Sequence, residues 1–248
     1  MMVPRHTTSV PRHVVILGLG PSCERYVDHV KRLGSRKIFA DEVWAINALG
    51  DVIQCDMVFH MDDCRVQEIR AAARPDSNIA AMLPWLRECQ VPVVTSIPRS
   101  GYPTAVTFPL EDVINTLGYC YFNGTAAYAV AYAIYIGVKK ISIFGCDYTM
   151  PNSHHAEQGR GCMEFWLGMA AARGMEIAIP ETSSLMDAND KHLRPYGYDM
   201  VNVEIEKLDT GLARVVFTPV AVAPTADEIE HRYDHTRPTN PLLRGENP

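Results

Sequence analysis

Short, uninterrupted apolar runs, each followed by a stretch with helical apolar spacing, constrain this chain more than any other feature. In "HVVILGLGPS" residues 14–17 are apolar at every position, and the run closes on Gly18 and Gly20. A strand with one face in water alternates apolar and polar residues. A run apolar on both faces needs cover on both faces, which is the situation in a parallel sheet. The following "CERYVDHVKRLG" places Val27, Val30 and Leu33 at helical spacing, with Gly34 as a stop. The alternation repeats. "EVWAINA", "DMVFHMDD", "VPVVTS", "KISIFGCD" and "MEIAIP" read as strands. "VQEIRAAAR", "SNIAAMLPWLREC" interrupted by Pro84, "PLEDVINTLG", Thr125–Ile136 and "EQGRGCMEFWLGMAAARG" read as helices. The expected fold is therefore α/β: a Rossmann-like, mainly parallel sheet with helices on both faces. "NVEIEKL" and "ARVVFTPV" around "DTGL" add an antiparallel hairpin appended to the sheet.

With 248 residues the chain can build one sizeable core. The expected organisation is a flexible arm at 1–12, a single nucleotide-binding domain at 13–222 and a Pro-rich tail at 223–248. The net charge is −6 with no block of Lys and Arg, which argues against unassisted duplex binding. The seven cysteines form no Cys-x-x-Cys pair, so reduced, buried thiols are expected. "MMVPRHTTSVPRH" lacks the apolar core of a signal peptide, and no apolar run is long enough to span a bilayer. A cytoplasmic location is expected.

Ligands of open parallel sheets bind beyond the carboxyl ends of the strands. The residues following each strand are therefore the candidates: Gly18, Gly20, Pro21 and Ser22, then Asn47, then Asp62 and Asp63, then Asp147 and Tyr148. "GLGPS" reads either as an anion cradle or as a plain tight turn. It is not the full dinucleotide fingerprint, because Glu24 or Arg25 stands where a third glycine would be. The second strand ends in Asn47 rather than an acid, which disfavours a dinucleotide. Asn123, Gly124 and Thr125 open a helix. Either Asn123 or Thr125 can cap it, and Gly124 leaves room for a phosphate. Tyr128, Tyr132 and Tyr135 form a stripe of the kind found in cores and subunit interfaces, so a homo-oligomer is possible. His154 and His155 fall in a polar loop with Pro151 and Asn152, beside Asp147, where a general base could sit. Glu157, Arg160 and Glu164 lie on the polar face of the next helix, with Glu164 read as part of a salt-bridged surface. His60 reads as a satisfied core histidine.

Across residues 14–180 the motifs "LGLGPS", "WAINALG" and "GTAAYAVAYAIYIGVKKISIFGCDYT" resemble the bacterial sialyltransferases of glycosyltransferase family 42. The same pattern is similar to 6-hydroxymethylpterin diphosphokinase-like proteins, motility-associated glycosyltransferases and small phage proteins. The resemblance implies a nucleotide-sugar transferase. Gly18, Gly20, Pro21, Ser22, Asn47 and Asp62 would line the nucleotide, with Asn123, Gly124 and Thr125 at its phosphate or sugar. Asp147 would hold the donor, Tyr148 would face the leaving group, and His155, or else His154, would be the base. No cofactor is required on this reading, no Asp-x-Asp metal motif is present, and the partners are a nucleotide donor and a glycan or small-molecule acceptor. Two points depart from the sialyltransferase pattern: Asn-Gly-Thr replaces Thr-Ser-Gly, and the histidines follow the Asp without a longer lid. The alternatives are a diphosphokinase on a pterin-like alcohol, holding ATP and Mg²⁺ through Asp62, Asp63 and Asp147, and a nucleotide-binding protein without turnover.

Overall fold

The apolar run at 14–17 lies in β1 (His13–Leu17), which has parallel partners on both sides. The computed structural model describes residues 9–149, 153–188, 197, 198 and 200–228. The chain divides into two compact units, Met1–Lys191 and His192–Pro248.

In the first unit β1 is followed by α1 (Cys23–Leu33), α2 (Arg36–Phe39), β2 (Glu42–Ile46), α3 (Leu49–Val52) and β3 (Met57–Phe59). Next come α4 (Cys64–Ala73), α5 (Asn78–Glu88), β4 (Val93–Thr95), β5 (Ala105–Thr107) and α6 (Leu110–Leu117). The unit continues through α7 (Thr125–Ile136), β6 (Lys140–Phe144), α8 (Ser153–Ala172) and β7 (Glu176–Ala178) to a 3₁₀ turn at Leu185–Asp187. The seven strands are all parallel, in the order β5-β4-β3-β2-β1-β6-β7.

Side chains leave a strand alternately to its two faces, and both faces are buried here. Val14, Ile16, Trp44, Phe59 and Ile143 join one core with α7 and α8. Val15, Leu17, Val43, Ala45 and Val58 join the other, with α1, α4 and α5. Each fully buried Val, Ile or Leu contributes about 1.5–3 kcal/mol relative to exposure, so these strands commit to the doubly covered arrangement. The tyrosine stripe belongs to the first core. Tyr132 packs against Trp44 and Phe59, and Tyr128 stacks on Phe122 at 4.1 Å.

Several local expectations change. The helix containing Pro84 is continuous over Asn78–Glu88. Pro84 faces solvent while Met82, Leu83 and Leu86 are buried, so the carbonyl it leaves unbonded has access to water. The three-residue strand β5 carries no apolar run and escapes periodicity. The expected hairpin forms as β8 (Val201–Lys207) and β9 (Ala213–Pro219), but in a two-stranded sheet of its own rather than in the parallel sheet. Of the expected arm, residues 1–8 lie outside the described residues; the Arg12 carbonyl accepts hydrogen bonds from the Lys139 and Lys140 amides. The expected tail is described only as far as residue 228. Among the described residues no helix is long and apolar enough to cross a membrane.

Candidate functional site at the carboxyl edge of the sheet

The strand order reverses between β1 and β6, and this is where a crevice opens in doubly wound sheets. Gly18 and Gly20 lead out of β1 and Gly145 leads out of β6. The Gly18 amide donates to the Phe144 carbonyl at 2.8 Å, and the Gly20 amide to the Gly145 carbonyl at 2.7 Å. A side chain on Gly18 would approach the Gly145 oxygen to 2.4 Å, and one on Gly20 would approach Asp147 Oδ2 to 2.7 Å. These glycines are required by the chain's own backbone, not by the space a phosphate needs.

Asp147 is 2% exposed and turned inward. Its Oδ2 accepts from the Ser22 amide at 2.7 Å and its Oδ1 from the Ser22 hydroxyl at 2.6 Å. The Ser22 oxygen in turn accepts from the Gly145 amide at 2.7 Å. A carboxylate at a helix start is favoured by the partial positive charge there. The start of α1 thus already holds an anion, and that anion is the protein's own. Asp147 and Ser22 form a latch across the crevice floor; Pro21 is exposed at its rim.

The start of α7 is different. The helix ends at Ile136, three residues before β6 enters the sheet, so its start lies at the carboxyl edge. Its N-cap is Gly124, and among the described residues no side chain caps it; neither Asn123 nor Thr125 takes the capping role expected of them. A short side chain could cap only where the backbone turns it over the first amides. Gly124 instead occupies the N-cap position in extended conformation. A Cβ on Gly124 would meet nothing within 4 Å among the described residues, so these leave the space before the amides open. The preceding turn is anchored to α8: the Asn123 amide donates to Cys162 Sγ at 3.2 Å, and Trp166 Nε1 to the Tyr121 carbonyl at 2.7 Å.

His154 and His155 are not in a loop. Both stand in the first turn of α8, exposed, with ring centroids 6.4 Å apart. Pro151 and Asn152 lie outside the described residues. Farther along α8, Arg160 pairs with Glu164 at 2.8 Å and with Asp187 at 2.5 Å, and Glu164 accepts the Met186 amide at 2.7 Å. These bonds, with one from the Ser184 hydroxyl to the Asp147 carbonyl, fix the segment after β7 against α8 and the latch. Glu164 is thus in the salt-bridged surface expected for it. Tyr148 has φ +50° and its ring lies against Gly159. Burial pushes its phenol well above the usual tyrosine range, so it is a neutral hydrogen-bonding group at physiological pH.

Asn47 follows β2 with φ +53°, half-buried, and its Oδ1 lies 3.1 Å from His60 Nδ1. His60 is buried as expected, and its Nε2 has no hydrogen-bond partner among the described residues. Sequence reading passed over this pair. The signal available to it was register, since Asn47 and His60 end neighbouring strands. Asp62 is exposed at the same edge. Asp63 caps α4 through the Arg65 amide and pairs with Arg99, whose hydrogen bonds hold its carboxyl below the usual range. Asp62, Asp63 and Asp147 are therefore not a convergent set. Among the described residues no cluster of three or more His, Cys, Asp or Glu side chains is placed to hold a metal ion.

No protein-family model matches the chain, and no curated protein matches it. Among solved structures the chain is similar to the sialyltransferase CstII from Campylobacter jejuni in complex with the substrate analogue CMP-3FNeuAc. The identity is 15% and the TM-score 0.44, over 90% of this chain and 99% of that one. It is similar, too, to CST-II in complex with a trisaccharide acceptor and CMP, at 15% identity and TM-score 0.43, over 90% and 98% of the two chains. An Asn-to-Ala variant of CST-II in complex with CMP gives 15% identity and TM-score 0.45, with the same coverage.

Proposed function

We propose that the chain is a glycosyltransferase that uses a nucleotide-activated sugar, without a metal ion, and transfers the sugar to a hydroxyl of a glycan or small-molecule acceptor. The observation that carries this reading is the uncapped, open start of α7 at the carboxyl edge. Among the described residues no side chain caps its Thr125 and Ala126 amides, whereas the Ser22 amide at the start of α1 already donates to Asp147. The donor phosphate is assigned to Gly124 and Thr125, its nucleoside to the edge that includes Asn47, and the latch holds the crevice floor beneath them.

In the reaction, the acceptor oxygen forms a bond to the anomeric carbon while the bond from that carbon to the phosphate oxygen breaks. The electron pair leaves with the nucleotide. The α7 amides stabilise the charge that develops on the phosphate, with the neutral Tyr148 phenol as a further donor. The acceptor proton passes to an imidazole nitrogen of the first turn of α8, His155 in preference to His154.

Calorimetric titration with nucleotides and nucleotide sugars, with and without Mg²⁺, tests the reading. CMP, the nucleotide in the similar structures, is the first probe and UDP the second. Metal-free binding of either, followed by transfer from the matching nucleotide sugar to an added acceptor, is expected. Binding of ATP only with Mg²⁺ would overturn the reading in favour of a diphosphokinase, and binding without turnover would leave a nucleotide-recognition protein.

A further inference from the structure

Asn47, His60 and Thr95 end three neighbouring strands. The Ile46–Phe59 and Phe59–Val94 pairings bring them side by side, with the Asn47 amide on the Phe59 carbonyl at 2.9 Å and the His60 amide on the Val94 carbonyl at 2.8 Å. His60 is 1% exposed, and neither its Nε2 nor Thr95 Oγ1 has a hydrogen-bond partner among the described residues. The contact between His60 Nδ1 and Asn47 Oδ1 can be made in two ways. In one, Nδ1–H donates to Oδ1 and Nε2 is a bare lone pair. In the other, the carboxamide is turned over, its NH₂ donates to Nδ1, and Nε2 carries a buried hydrogen with no acceptor. An orphaned buried N–H is the rarer and costlier of the two. Burial also lowers the His60 pKa, opposed by Asp62, which favours the neutral ring in either arrangement; the cost of the orphaned N–H selects the first.

We infer that His60 is a positioning residue that sets the polarity of Asn47: it holds the carboxamide oxygen inward and leaves the NH₂ turned to the nucleotide, so this position reads a hydrogen-bond acceptor on the donor's nucleoside. The inference rests on the nucleotide-sugar reading above and adds to it both a residue and a direction.

The test is calorimetric binding of CMP, then UDP, to full-length wild type, Asn47→Ala, Asn47→Asp, His60→Asn and His60→Gln, with a melting curve for each. Asn47→Ala should weaken binding about tenfold, the scale of one lost hydrogen bond at a half-buried site. Asn47→Asp should weaken it further, because the carboxylate turns an oxygen to the ligand where an NH₂ stood. His60→Asn keeps a donor near the Nδ1 position and should bind within about threefold of wild type. His60→Gln moves the donor toward the Nε2 position and should lose about as much as Asn47→Ala. The His60→Gln/Asn47→Ala double variant should be no worse than Asn47→Ala alone. A purely structural His60 would lower the melting temperature of both His60 variants without separating their affinities.

If Asn47→Ala weakens binding and His60→Gln does not, the inference fails while the nucleotide reading stands. Wild-type affinity for Asn47→Ala overturns both at this residue, and so does the absence of saturable binding of either nucleotide to the wild type. Should neither His60 variant fold, the two Asn47 variants decide alone: Asn47→Asp weaker than Asn47→Ala supports the assigned polarity, and Asn47→Asp equal to wild type reverses it.

Discussion

Replacing Ser22 by alanine should destabilise the first unit more than any exposed change at the carboxyl edge. The hydroxyl accepts from the Gly145 amide at 2.7 Å and donates to Asp147 Oδ1 at 2.6 Å, and the residue is 2% exposed. Removing it leaves a buried N–H without an acceptor, which costs about 1–3 kcal/mol. It also removes one of the two Ser22 bonds to a buried carboxylate. Charge-assisted bonds are worth about 1.5–3 kcal/mol, so the sum lies near 3 kcal/mol after partial relaxation. For a unit of 150–250 residues each kcal/mol moves the melting temperature by about 2–4 °C, giving a fall of about 6–12 °C. Ser22→Thr keeps the hydroxyl and should recover most of the loss. The assay is thermal and urea unfolding followed by circular dichroism. A Ser22→Ala protein that melts within about 1 °C of wild type would refute the latch and return Ser22 and Asp147 to the list of groups free to meet a ligand.

Other outcomes follow from the same geometry. Gly20→Val should lower the yield of folded protein, not merely nucleotide affinity, because a side chain there meets Asp147 Oδ2 at 2.7 Å and the Gly145 oxygen at 2.8 Å; circular dichroism and solubility read it. His155→Ala should lower kcat by about 10²- to 10⁴-fold with little change in donor Kd, and His154→Ala should do less; wild-type turnover in both would remove the histidine base. His60 binds its proton less readily when folded, chiefly through burial, against an ordinary value of 6.5. As pH falls below about 6.5 the unfolded chain therefore takes up a proton that the folded chain does not, and stability decreases until the folded pKa is reached. His60→Asn should flatten the stability–pH slope in that window, leaving the share due to His13, whose pKa is lowered for the same reason; urea midpoints between pH 7 and 5 measure it.

What the sequence made legible is what depends on neighbours a few residues away. Residues 14–17 announce a buried strand because every position is apolar, and 141–144 do so with Ser142 as the one polar residue; the resulting order places each carboxyl-end loop on one edge. Strand β5 was not legible, because the three residues Ala105–Thr107 carry no period and owe their conformation to pairing with β4. His154 and His155 read as loop because the Pro151–Asn152 breaker stands just before them, yet the helix of α8 already includes Ser153. The hairpin's strands were legible from alternation, but alternation carries no information about which sheet they join.

The site divides along the same line. "GPS" and "NGT" look equivalent as sequences: each is a glycine-containing turn opening a helix at the same edge. They differ in what the fold brings across the crevice, over a separation of 125 residues in the case of Ser22 and Asp147. One helix start receives an internal carboxylate, and the other receives none from the described residues. The difference gives opposite expectations for the same chemical change. A Cβ at Gly20 has no room in the folded chain itself. A Cβ at Gly124 meets nothing within 4 Å among the described residues, and the backbone there, at φ −174°, suits any residue. Gly124→Val should therefore melt within about 2 °C of wild type, as surface changes away from packed features do. Its affinity for CMP should nevertheless fall at least about tenfold, because the new methyl groups fill the approach to the α7 amides and displace a phosphate bound there. If Gly124→Val binds CMP as tightly as wild type, the α7 start is not the phosphate seat, and the donor must be sought elsewhere along the edge.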